Sequence, residues 1–169
     1  MSAVNPALST LDLTCLEKLK ALNLSAIAAY LMNPQNGCGW TRQQALHAIQ
    51  SYKTFLFVSY LYPQIVLVPT QEIDRVWHAH ILHTRQYRQD CEMLFGYFID
   101  HEPDCKLGDR ASVINIEAAF AQTQALLALF EGYFQAKFLA KAPSLPHPTY
   151  AGNLHLYPSA CGRPNNLTG

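Results

Sequence analysis

Residues 68–101 read VPTQEIDRVWHAHILHTRQYRQDCEMLFGYFIDH. Thr70, after Pro69 and ahead of Glu72, has the character of a helix N-cap, and neither proline nor glycine interrupts the run until Gly96. The spacing predicts one long central helix from Thr70 to about Ile99. At about 100° per residue, Ile73, Val76, Trp77, His80, Thr84, Tyr87, Cys91, Leu94, Phe95 and Phe98 fall on one face. That stripe reads as the core seam of a helical bundle, with a histidine inside it; Trp77, Leu94, Phe95 and Phe98 read as core.

Upstream, Leu11 to Leu22 and Ser25 to Met32 carry short helical patterns, with Asn23 and Ser25 as break and cap and Asn33-Pro34 as the stop. Thr41 caps a further helix through about Tyr62, where Pro63 ends it. The β-branched run Ile65 to Val68 is too short and too close to Pro69 for a strand in a sheet, so an extended connector is expected there. Downstream, residues 101–110 form a polar loop, and Ser112 opens a last helix to about Ala140. The expected fold is all-α: a compact single-domain bundle over 1–142, followed by a Pro/Gly-rich tail over 143–169.

Composition narrows the function classes. Twelve Lys plus Arg balance twelve Asp plus Glu in 169 residues, so no net field gathers phosphates, and nucleic acid is disfavoured as a partner. Only 14 % of the chain is charged and half is apolar, so folding needs neither disulfide nor metal. Cys15, Cys38, Cys91, Cys105 and Cys161 contain no C-x-x-C pair and read as free thiols. The N-terminal residues lack the pattern of a secretory signal, and the most apolar stretch, Thr54 to Val68, is shorter than a membrane span, so a cytoplasmic protein without a membrane span is expected.

His78, His80, His83 and His101, four of the seven histidines, lie close together in sequence with Asp74, Tyr87, Asp90 and Cys91. Imidazole, carboxylate and thiolate suit Zn, Fe or Cu better than Mg or Ca, and haem stays compatible with the same histidines. His78 and His80 point about 160° apart on a regular helix and cannot share an ion, whereas His80 and His83 are about 60° apart with Tyr87 one turn beyond. Asp74 stands four residues before His78, placed to orient its ring or share a second site. His101 joins the others only if the chain turns back after Gly96. The plain alternative makes His80 a neutral core imidazole, Cys91 a small buried hydrophobe, and Asp90 a surface partner of Arg85 or Arg88. No G-x-S-x-G, P-loop, G-x-G-x-x-G or H-E-x-x-H occurs, and a Cys91 nucleophile paired with His80 or His83 ranks last.

The stretch from Pro69 to His101 resembles the glycine-rich domain-containing protein-like family through Pro69, Asp74, Trp77, His78, His80, Tyr87, Asp90, Cys91, Gly96 and His101. His83 lies outside that pattern. The resemblance implies a compact helical domain and says little about activity. It does not carry over the RNA binding of plant members, whose long glycine-rich and RNA-binding extensions are not matched here. Two functions follow as expectations. One is a transition-metal site, open to catalysis, with His78, His80, His83 and His101 as ligands and Asp74, Trp77, Tyr87, Asp90 and Cys91 in support. The other is a non-enzymatic module, rich in Tyr and Phe, that binds a protein partner or itself around a structural histidine network.

Overall fold

The computed structural model describes residues 9–101 and 116–138. Six helices follow one another: α1 (Thr10–Ala21), α2 (Ser25–Met32), α3 (Arg42–Leu61), α4 (Gln71–Leu82), α5 (Thr84–Phe95) and α6 (Ile116–Phe138). No strand occurs among the described residues, so the all-α class holds. The expected tail over 143–169 and the loop over 102–110 lie outside the described residues.

Local chemistry sets the helix starts. Ser9 and Asp12 form a reciprocal capping box at α1, and Thr41 with Gln44 does the same at α3. Thr70 accepts a hydrogen bond from the Ile73 amide at the head of α4. Ser25 is the first residue of α2 rather than its cap, and Asn23 meets its amide instead. Between α2 and α3 the chain turns back so closely that a Cβ on Gly37 would meet the Tyr30 carbonyl oxygen at 1.8 Å. Only glycine fits there.

The centre of the bundle is α3. It packs against α1, α2, α4 and α6, and residues 54 to 59 are buried all round, as a helix enclosed by neighbours requires. Phe57 meets Phe130 of α6 edge-on at 5.5 Å. After a turn closed by the Ile65 amide on the Tyr62 carbonyl at 3.1 Å, the connector crosses this core, burying Leu67 and Val68, and the Val68 amide donates to the buried Thr123 hydroxyl of α6 at 3.0 Å.

The stretch expected as one helix from Thr70 to Ile99 is two. His83, with φ −84° and ψ 58°, interrupts it, and its Nδ1 hydrogen donates to the Ala79 carbonyl at 2.7 Å, in place of a continuing backbone bond. Ten residues of straight helix span about 15 Å. Trp77 and Tyr87 nonetheless share a hydrogen bond of 2.9 Å, and His80 and Asp90 one of 3.0 Å, because α5 folds back beside α4. The second helix stops at Phe95, where Gly96 adopts φ 76° and reverses the chain. Phe95 is therefore only partly buried and Phe98 is 47 % exposed, although the wheel placed both in the core with Trp77 and Leu94, which are buried.

Candidate metal centre

Trp77, Tyr87 and Gly96 together bring His101 back to α4. The Trp77 indole N–H donates to the Tyr87 hydroxyl at 2.9 Å, and that hydroxyl donates onward to the Ile99 carbonyl at 2.7 Å. Ile99 is buried, so the segment after α5 is held at a point two residues before His101. The His101 ring then rests between two aromatic neighbours, 4.4 Å from the Trp77 ring and 4.4 Å from the His78 ring.

Asp74 sits at the junction. Its Oδ1 accepts from His101 Nε2 at 2.9 Å, and its Oδ2 lies 3.1 Å from His78 Nδ1, a charge-pair contact across one helical turn. A carboxylate oxygen only accepts, so His101 presents its Nε2 hydrogen to it. One donor atom from each of the three residues lies within 4.8 Å of the other two. The side chains of Asp74 and His101 are 11 % and 6 % exposed, while that of His78 is 45 % exposed. The group is thus walled by the protein on one side and wet on the other.

The remaining histidines go elsewhere. His80 lies in the core between α3 and α5, with Nε2 3.0 Å from Asp90 and Nδ1 3.1 Å from the Tyr52 hydroxyl. Because Asp90 accepts, Nε2 carries the hydrogen and Nδ1 takes the Tyr52 proton donor, so both ring nitrogens are engaged. Burial pushes the His80 pKa down and the Asp90 carboxylate opposes it. Burial likewise raises the Tyr52 and Tyr87 phenols, which stay protonated as donors. The Tyr87 ring packs edge-on to His80 at 5.0 Å, so it borders both histidine groups. His83 meets the Ala79 carbonyl and the edge of Tyr30, and does not converge with His80.

Asp90, expected to pair with Arg85 or Arg88, bonds the buried His80 instead. Cys91 is 2 % exposed and burial raises its thiol pKa, as befits a small buried hydrophobe. Tyr52 was not singled out in the sequence. It stands 28 residues from His80 on another helix, and its only local signal is its place among the apolar positions of α3.

Two plant proteins from Arabidopsis thaliana, glycine-rich domain-containing proteins 1 and 2, are 32 % and 30 % identical to this chain over 82 residues, which is 46 % of its length. The matched stretch is 10 % of each relative, so the chain covers about a tenth of the length of the curated relatives it matches. No solved structure matches the chain. The family model described as UCP032817-like matches residues 34–123, which run from the loop before α3 through the histidine motif and into α6. With more than half its length matched, and with the two relatives it resembles, the chain belongs to the UCP032817-like, glycine-rich domain-containing protein-like family.

Proposed function

We propose that the chain binds a first-row transition-metal ion through Asp74, His78 and His101. The observation that carries this reading is the convergence of a carboxylate and two imidazoles, from segments 27 residues apart, within 4.8 Å. Donors about 2.0 to 2.2 Å from a tetrahedral zinc ion stand about 3.3 to 3.6 Å apart. The present contacts of 2.9 and 3.1 Å therefore need to open by only a few tenths of an ångström. A ligating nitrogen carries no hydrogen, so His101 would move its own from Nε2 to Nδ1. Two imidazoles and a carboxylate suit Zn or Fe, and Cu by affinity. Three protein donors leave positions for water on the exposed side of His78, an arrangement suited to Lewis-acid chemistry.

Elemental analysis of freshly purified protein, followed by titration with Zn, Fe(II) and Cu salts, tests the reading. About one equivalent of metal is expected, with affinity falling at least about tenfold in Asp74→Asn and His101→Ala and holding in His83→Ala. Equal metal content in wild type and Asp74→Asn overturns it.

A second reading, a self-association or partner-binding module, draws on Met93, Tyr97 and Phe98, which lie exposed along six residues at the end of α5. Light scattering over a concentration series tests self-association: a monomer throughout removes it.

A further inference from the structure

The open side of the Asp74 group has a chemistry of its own, set by the face of α4 that carries His78. Arg75 stands three residues before His78 and Leu82 four after it, so both are its surface neighbours on the helix, with Cβ atoms about 5 to 6 Å away. All three side chains are exposed, and Leu82, at 64 %, is the most exposed of the described large hydrophobics. Arg75 Nη1 donates to the Cys38 sulfur at 3.8 Å, and the guanidinium forms no ion pair with a carboxylate among the described residues. Most of its planar fork of N–H donors therefore faces water, one turn from His78.

Charge then selects the occupant. Asp74 brings a single negative charge to a divalent ion, and two ligating imidazoles bring none. Arg75 adds a positive charge, and Asp100, exposed beside His101, returns a negative one. The balance at the open face stays positive, so an anion is preferred there over a cation or a neutral molecule. A carboxylate suits both partners, since one oxygen can ligate the ion while the other accepts from a guanidinium. Leu82 lies on the other side of His78 from Arg75 and offers apolar contact. The seven residues from Arg75 to Leu82 span about 10 Å of helix, so a chain of about six carbons reaches both.

We propose that the metal-loaded site binds a short-chain monocarboxylic acid, its carboxylate bridging the ion and Arg75 and its hydrocarbon tail lying along Leu82. This rests on the metal reading of Asp74, His78 and His101. The test is calorimetric titration of the full chain, first assayed for bound zinc, with hexanoate, acetate and 1-hexanol. One equivalent of hexanoate is expected on the zinc-loaded protein, binding about fivefold tighter than acetate, with no saturable heat from hexanol or from the metal-free protein. Arg75→Gln should keep its zinc and weaken hexanoate about fivefold, the upper range for an exposed ion pair. Leu82→Ala should keep its zinc and bring hexanoate down to the level of acetate. A zinc-loaded protein that ignores hexanoate, binds hexanol equally, or is unaffected by Arg75→Gln or Leu82→Ala overturns this proposal and leaves the metal reading standing. So does equal binding of hexanoate to the metal-free protein. Failure of the wild-type protein to hold zinc overturns both, and the zinc assay tells the two failures apart.

Discussion

His80 and His101 are two imidazoles in one motif with opposite surroundings. His80 is 1 % exposed and has a partner on each nitrogen, so its chemistry is closed by Tyr52 and Asp90. His101 keeps one contact to Asp74 and faces His78, whose ring is open to water. Tyr52→Phe should therefore cost about 1 to 2 kcal/mol by leaving His80 Nδ1 without a donor in the core, measured by urea denaturation, while metal content stays that of wild type. A parallel fall in metal content would show the two histidine groups to be one unit. Burial has a second consequence at this scale. The Cys15 thiol is pushed up to about 12 by burial, and the Cys91 thiol is raised for the same reason. Peptide mapping after alkylation at pH 8 should find both unmodified in the native protein and modified only in denaturant, with the partly exposed Cys38 labelled ahead of them.

At the scale of elements, the α4–α5 hairpin and the reversal at Gly96 place the site. Helix α5 is held at its end by Lys18 of α1, whose ammonium donates to the Met93 carbonyl at 2.8 Å, a cation at a helix C-terminus. The next segment depends on a left-handed residue. A side chain at Gly96 would meet nothing within 4 Å, so the cost of Gly96→Ala is conformational, about 1 kcal/mol. Under the metal reading, relaxation of that strain moves His101 away from Asp74, and metal affinity should fall with little loss of helicity by circular dichroism. Unchanged affinity would place the control of His101 wholly with Tyr87 and Trp77. Gly37→Ala differs in kind, because the new Cβ would collide with the Tyr30 carbonyl and the turn into α3 would have to open. It should destabilise by about 3 kcal/mol or more, visible as a lowered denaturation midpoint.

The whole molecule is organised around α3, with α4 presenting Asp74 and His78 on one side and α6 closing another. A buried hydrogen bond from the Val68 amide to Thr123 joins the connector to α6. Thr123→Val keeps the shape and removes the acceptor, and should cost about 1 to 3 kcal/mol in chemical denaturation. No described helix is long and apolar enough to cross a membrane. If the Asp74 group binds metal, binding to the native state alone adds about 2.7 kcal/mol at a free metal concentration a hundredfold above Kd. Chelation should then lower the thermal midpoint by about 5 °C or more, given the scaling for chains of this size. Identical melting with chelator and with metal would remove the linkage.

The amino-acid sequence by itself determined the helical class, the starts of α3 and α4 at Thr41 and Thr70, the connector before Pro69, and the opposed directions of His78 and His80. Each of these depends on caps, proline positions and side-chain period, which act over a few residues. It also placed Asp74 one turn from His78, a contact local to α4. The tertiary structure alone decided the rest: the break at His83, for which no proline or glycine gives a local signal; the exchange of Asp90 from a surface arginine to His80; the partnership of Tyr52; and the return of His101 to Asp74. Those contacts join residues 10 to 28 positions apart, and chain reversals and packing around α3 select them, which local periodicity does not encode.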